Sequence, residues 1–332
     1  MRKKHWLRTL LIVLVIIAVP TAVVVCVKAY EDRYRAPATR GTEHVYDYLG
    51  TVSIGGKTYR RRPGIETILL IGVDKPAQSD SAASPGFRRG GQADFLWLLV
   101  IDPVNKKVSH LQIDRDTVTP IKVINVQGKA NGTMPQQIAL AHSYGDGGKQ
   151  SCKLTADAVS TLLYNAPIDQ YIAMGLDGVP VLNDAVGGVT VTLEQDLSAI
   201  DPAMVKGATI TLRGDQAETY LRSRKSVGSG SNEDRMDRQR NYISRLTEKL
   251  RVLVAGDKNF AGELFDKLEP YLTTSMSRGR VINDTWAAKD FFHDYIRIPG
   301  EHSTDNLGYV KFTPDSDALR QIVTNLFYEE LR

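Results

Sequence analysis

Cysteine is almost missing from this chain. There are two, Cys26 inside an apolar run and Cys152 standing alone, so no disulfide between them is expected and Cys152 reads as a small buried hydrophobe. The six histidines show no H-E-x-x-H spacing, and no G-x-S-x-G elbow occurs, which excludes the zinc-peptidase and α/β-hydrolase patterns. His142 reads as a packed or capping residue. "SYGDGGKQS" departs from a P-loop, with Ser143 where the first glycine belongs and Gln150 after the lysine. Neither an internal repeat nor a low-complexity tract is found. A formal net charge of +4 is too small for a nucleic-acid footprint, and no zinc-finger, bZIP or RNA-binding pattern accompanies it. Anionic partners stay open. With 42% hydrophobic and 24% charged residues, the 332-residue chain can bury one large core or two modest ones.

Charge is scarcest near the amino terminus. After a leader, residues 1–8, with four basic and no acidic residues, Leu10 to Val27 runs eighteen residues without a charge, enough for a membrane helix over residues 9–28. A signal peptide has a shorter apolar core and a small-residue cleavage site; Val27-Lys28-Ala29 is a poor one, and no lipoprotein box precedes Cys26. The basic leader predicts a cytoplasmic start, a single pass through the cell membrane and an extracellular remainder. Lys28, Arg33, Arg35 and Arg40 beyond the span work against that asymmetry.

Residues 29–64 read as a polar stalk ending in a hairpin, "TVSIGGKTYR". Three apolar strands follow: Glu66 to Asp74, Asp94 to Asp102 and Lys106 to Asp114. Their continuous apolar character predicts a sheet covered on both faces, and the short Pro103–Asn105 turn makes the second and third antiparallel. Downstream, "MPQQIALAHSYG" and "CKLTADAVSTLLYN" have helical spacing, "IDQYIAMGL" and "VTVTL" read as strands, and a helix closes at Gly187 and Gly188. Two helices are expected after the candidate N-caps Asp215 and Asn232. The expected main domain is 65–256, and 257–332 is expected as a mostly helical extension.

Each of the three strands meets an acid at one end: Asp74, Asp94 and Asp114. If the first two strands are antiparallel, Asp74 and Asp94 converge. Two carboxylates suit magnesium, which keeps waters and borrows phosphate oxygens, although aspartate is also an ordinary turn former. Cations gather as well: Arg115 at the third strand's tip, Arg222 and Arg224 in "YLRSR", Arg235 and Arg238 in "RMDRQ". The core stripe Ile243, Leu246, Leu250 and Leu253, followed backwards, meets Gln239 and Arg235, placing polar groups at core positions in the first turns of a helix. That arrangement fits an anion site; the competing reading is a solvated basic face.

The order of "ILLIGVD", "QADFLWLLVID", "IDRDT", "LAHSYGDGG", "PIDQYIAM", "LNDAVGGVTVTL", "GDQAETYLRSR" and "RMDRQR" resembles the LytR-CpsA-Psr family over roughly Glu66 to Leu250. The resemblance implies an α/β fold, an α/β/α sandwich with a central mixed sheet behind one transmembrane helix. It implies an enzyme that moves an anionic glycopolymer, of teichoic acid or capsule type, from a polyprenyl-pyrophosphate lipid to a peptidoglycan acceptor with Mg2+. On the matching positions Asp74 and Asp94 bind the metal, and Arg115, Arg222, Arg224, Arg235 and Gln239 bind pyrophosphate, with Arg238 in support. The family usually has Arg-Ser-Asp where this chain has Gln92-Ala93-Asp94, so Arg88 or Arg89 is the candidate substitute. Arg115 is expected to stabilise charge on the reacting phosphates; Asp116 or Asp114 either orients its fork or activates the acceptor hydroxyl. An apolar tunnel for the lipid is sought in "FLWLLV" and the helices after Met134. A polyprenyl-pyrophosphate hydrolase and a non-catalytic lipid-pyrophosphate carrier or envelope regulator are the alternatives.

Overall fold

The computed structural model describes residues 51–54, 56–74, 90–125, 130–224, 227–228 and 230–331. The leader, the transmembrane helix expected at 9–28 and most of the stalk lie outside the described residues, as do Arg88 and Arg89. Among the described residues no helix is long and apolar enough to cross a membrane. The chain forms two units, residues 1–59 and 60–332. In the first, β1 (Thr51–Ile54) is followed by β2 (Lys57–Arg61), which runs across the boundary, so strands occur where the hairpin was expected.

The second unit is built on a six-stranded mixed sheet. Its apolar runs become β3 (Glu66–Val73), β4 (Ala93–Asp102) and β5 (Lys107–Ile113), successive antiparallel neighbours. Then come β6 (Val118–Ile124), β7 (Ala130–Gln137), β8 (Gln170–Gly175), β9 (Thr190–Thr192), β10 (Thr209–Thr211), β11 (Leu272–Thr274), β12 (Phe292–Arg297), β13 (Gly300–Thr304), β14 (Val310–Pro314) and β15 (Tyr328–Glu330). The central order is β11-β8-β3-β4-β5-β12. β8 lies parallel to β3 and β12 parallel to β5, while β11 is antiparallel to β8.

The helices are α1 (Leu140–Ser143), α2 (Lys149–Leu162), α3 (Gly178–Ala185), α4 (Asp215–Arg222), α5 (Asn232–Gly256), α6 (Phe260–Leu268), α7 (Arg278–Ala288) and α8 (Ser316–Phe327). Alternation along β4 divides its side chains between two layers. Leu96, Leu98 and Val100 join a dense core with Cys152 and Val159 of α2 and with Leu319 and Val323 of α8. Phe95, Leu99 and Ile101 point the other way, toward α5, α6 and α7. Helices therefore cover both faces, which is why these strands read as unbroken apolar runs.

Three expectations change. Met134 to Gln137, read as helical, belongs to β7, where Ile121 pairs with Met134 and Val118 with Gln137; only Leu140–Ser143 coils. An apolar run that short fits either period, and the neighbouring strand decides. The caps are also one residue earlier. Ser231 caps α5 by accepting from Asp234 N at 3.1 Å, and Gly214 precedes α4, so Asn232 and Asp215 are already helical. Lastly, residues 257–332 contain helices, but their strands β11 and β12 form both edges of the central sheet. A long-range pairing of this kind leaves no local pattern in the sequence. The stretch belongs to the same compact unit as residues 60–256.

Candidate active site

The antiparallel register pairs Val73 with Ala93, so Asp74 and Asp94 meet at one end of the sheet, where β5 also delivers Asp114, Arg115 and Asp116. Backbone and side chain fix Asp74 against Gln92: Asp74 N donates to Gln92 O at 3.0 Å, and Gln92 N donates to Asp74 Oδ1 at 2.7 Å. Gln92 in turn presents its Oε1 to Arg115 Nη2 at 2.5 Å. Arg115 Nη1 donates to Asp94 Oδ1, and its Nε lies 3.5 Å from Asp116 Oδ1.

The first turn of α5 arrives from the other side. Arg235 Nη1 reaches Asp94 Oδ2 at 3.4 Å, so the two oxygens of Asp94 are shared between two guanidiniums. Asn232 accepts from Arg235 Nη2 at 2.6 Å and donates to Asp114 Oδ1 at 2.8 Å. Asp114 and Asp116 are 3% and 4% exposed and Arg235 4%, so these charges are held by one another rather than by solvent. Burial lowers the Arg235 pKa, opposed by the neighbouring Asp94 carboxylate. Burial raises that of Asp116, opposed by Arg115 and more distantly by Arg235 and Arg224. Arg224 thus contributes its field to the same cluster.

Arg115 and Arg235 each keep a buried Nε–H without a hydrogen-bond partner. Buried guanidinium donors left open are unusual, and an oxyanion is the ligand that satisfies them.

The structure does not bring the remaining candidates to this point. Arg238, 3% exposed, spends its nitrogens on the Tyr220 carbonyl at 2.8 Å, the Ser223 carbonyl and Gln195 Oε1. Gln239 Nε2 donates to Leu221 O at 3.5 Å. Both tie α5 to the end of α4 and so hold the segment leading to Arg224. Arg222 is exposed and paired with Glu218 at 3.2 Å. Arg89 lies outside the described residues. His142 is fully buried and donates to the Gly90 carbonyl at 2.6 Å, a packing role as expected; burial lowers its pKa.

Sequence reasoning missed several members. Asn232 bridges Asp114 and Arg235 from a position that resembled a cap. Gln137 Nε2 donates to Asp116 Oδ1 at 2.9 Å and to Val310 O at 2.7 Å. His302 Nε2 meets Asp114 Oδ2 at 2.9 Å from the β13–β14 hairpin. No spacing signal connects residue 302 to residue 114.

Behind this cluster lies an apolar cavity of about 390 Å3 between the sheet and α5–α7. Its walls begin at Gly72 and Phe95, beside the two acids, and continue through Leu99, Leu246, Leu250 and Leu264. β4 lines it as expected; the helices after Met134 do not, because α1 and α2 fill the opposite face. His110 and His293 also line the cavity: His110 Nδ1 accepts from Trp97 Nε1 at 3.0 Å, and the other ring nitrogen of His110 meets His293 Nδ1 at 2.8 Å. Burial lowers the two imidazoles to about 3 and about 4.

Comparison with known proteins completes the description. A polyisoprenyl-teichoic acid–peptidoglycan teichoic acid transferase TagU from Halalkalibacterium halodurans is 29% identical over 258 residues, 76% of each chain. The crystal structure of B. subtilis TagV superposes with a TM-score of 0.62 at 23% identity, covering 80% of this chain and 96% of that one. TagT bound to LI-WTA gives 0.59 at 20% identity over 87% and 96%. Both have the mixed α/β fold. The LytR_cpsA_psr family model matches residues 40–327, most of the chain, including the C-terminal stretch that supplies β11 and β12. The chain belongs to the LytR_cpsA_psr family.

Proposed function

We propose that this protein is a membrane-anchored, extracellular glycopolymer transferase. It takes an anionic polymer of the teichoic acid type from a polyprenyl-pyrophosphate lipid and joins it to peptidoglycan. One observation carries the reading: two guanidiniums with buried, unpartnered Nε donors share Asp94, whose neighbour in β4, Phe95, lines an apolar cavity. A diphosphate bonded to a long hydrocarbon has this shape and polarity. The name of the TagU relative, a teichoic acid transferase, supports the same substrate class.

Arg115 and Arg235 bind the diphosphate through Nε and through the donors they now share with Asp94. Arg224 adds positive potential. As the phosphoanhydride opens, charge grows on the bridging oxygen, and fixed guanidiniums stabilise it without reorganisation. Asp94 and Gln92 hold the Arg115 fork in plane, while Asn232 does the same for Arg235.

The donor set also fits magnesium. Asp74 and Asp94 come from paired strand ends, and a carboxylate that accepts one or two hydrogen bonds keeps lone pairs for a hard cation. The ion would supply Lewis acidity and charge to phosphate oxygens. Incubating the protein with a polyprenyl-pyrophosphate saccharide, magnesium and peptidoglycan fragments tests the reading. Glycan on the acceptor is the expected result. Free lipid phosphate with an unmodified acceptor would mark a hydrolase, and binding without product a carrier.

A further inference from the structure

We propose that His302 is the general base that removes the proton from the attacking peptidoglycan hydroxyl. The inference rests on the transferase reading above and adds a group to it from outside the expected catalytic domain.

The position of His302 is fixed from three directions. Asp114, buried at the end of β5, meets its Nε2 at 2.9 Å. Asp114 Oδ1 meanwhile accepts from Asp116 N and Asn232 Nδ2, both at 2.8 Å, so this carboxylate is itself anchored. Beneath the imidazole lies the ring of Phe312, its cross-strand partner, with centroids 4.9 Å apart. The hairpin carrying both residues is fastened to the site: Phe312 N donates to Asp116 O at 2.8 Å, and Gln137 bridges Asp116 to Val310 O. Gly300 permits the close pairing, since a side chain there would run into the Thr313 carbonyl and the Phe312 ring.

A carboxylate accepts hydrogen bonds, so Asp114 holds the proton of the neutral ring on Nε2 and leaves the Nδ1 lone pair for another partner. That is the orientation an acid imposes on a catalytic imidazole. About a third of the His302 side chain, 32%, stays open while Asp114 is buried, so the ring forms the solvent side of the pair. One ring nitrogen lies within 4.8 Å of a carboxylate oxygen of both Asp114 and Asp116, and Asp116 adjoins Arg115. The Arg115 and Arg235 side chains are 15% and 5% exposed, so the imidazole is the more accessible to an acceptor hydroxyl from solvent.

The step balances. The acceptor O–H bond breaks and its proton passes to Nδ1. The oxygen forms a bond to the phosphorus that carries the glycopolymer. The P–O bond to the lipid-side phosphate breaks, and its electron pair leaves with the lipid monophosphate. Asp114 is a positioning residue: it fixes the tautomer and stabilises the imidazolium.

Two variants test this, with a synthetic farnesyl-pyrophosphate saccharide as donor and peptidoglycan fragments as acceptor. His302→Gln retains a donor for Asp114 but cannot take the proton; His302→Ala leaves room for free imidazole. Both are expected to bind the donor as the wild type does and to transfer about 10²- to 10⁴-fold more slowly. Added imidazole should restore part of the rate to His302→Ala and none to His302→Gln. Wild-type transfer by His302→Gln would overturn the proposal, and so would a His302→Ala defect that imidazole leaves untouched. A wild-type protein that transfers nothing would overturn the transferase reading instead.

Discussion

If the cavity behind Asp94 receives a lipid tail, affinity must rise with tail length and then stop rising. An apolar cavity of about 150 Å3 holds one benzene ring, so about 390 Å3 holds roughly fifteen carbons, or three isoprene units. At about 0.3 kcal/mol per buried heavy atom, each five-carbon unit contributes about 1.5 kcal/mol, roughly a tenfold gain. Prenyl pyrophosphates of one, two, three, four and six units, measured by titration calorimetry with magnesium, should therefore tighten about a hundredfold from one unit to three. Beyond four units the curve should be flat, because further carbons lie outside the apolar walls. A dissociation constant indifferent to length would remove the cavity from the binding site. An undiminished rise through six units would refute its size.

Replacing Arg235 by Gln removes a charge-assisted partner worth about 1.5–3 kcal/mol, so farnesyl pyrophosphate should bind roughly 10- to 150-fold more weakly by calorimetry. Asp94 keeps Arg115, so melting temperature should move far less than it does when a buried ion pair is left with one member. Gln92→Arg takes an acceptor from Arg115 and sets a second cation beside it; thermal stability should fall while diphosphate affinity rises, and calorimetry with differential scanning reads both. His110 supplies a pH dependence. Its folded value, about 3, lies below the ordinary 6.5, so below 6.5 the unfolded chain binds a proton that the folded one refuses. Stability should decline as pH falls from 6.5 toward 3, and His110→Asn, followed by urea midpoints across that range, should flatten the decline.

What the sequence revealed of this molecule follows the range of the interactions. The strands at 66–73, 93–102 and 107–113 were legible because burial on both faces writes a continuous apolar run. The antiparallel pairing of the second and third was legible because Pro103–Asn105 is too short for a crossover. Arg235 and Gln239 stood out as polar residues on an apolar helical stripe, and both are buried. The stripe could not distinguish their tasks. Arg235 faces Asp94, whereas Gln239 and Arg238, about one turn further along the same side of the helix, anchor the end of α4. His302 and the edge strands β11 and β12 left no trace, since their partners lie about a hundred residues away or further and nothing local depends on them.

The arrangement of charge explains why the site holds more acids than a phosphate pocket needs. Asp94, Asp114 and Asp116 face Arg115, Arg224 and Arg235, three against three, so the cluster carries no cationic excess of its own. Without the acids, buried Arg235 and half-buried Arg115 and Arg224 would repel one another, and Arg235 above all would bear an unrelieved desolvation cost. With them, the guanidiniums are compensated before substrate arrives, and a diphosphate must displace Asp94 from the guanidiniums that it now bridges. A divalent ion on Asp74 and Asp94 would remove that competition by giving the carboxylates another partner. Metal and diphosphate would then strengthen each other's binding by the same factor, as linkage requires. On this reading the acids would serve two ends: they compensate the guanidiniums in the folded pocket, and with a cation bound they would make its affinity for the lipid conditional on that cation.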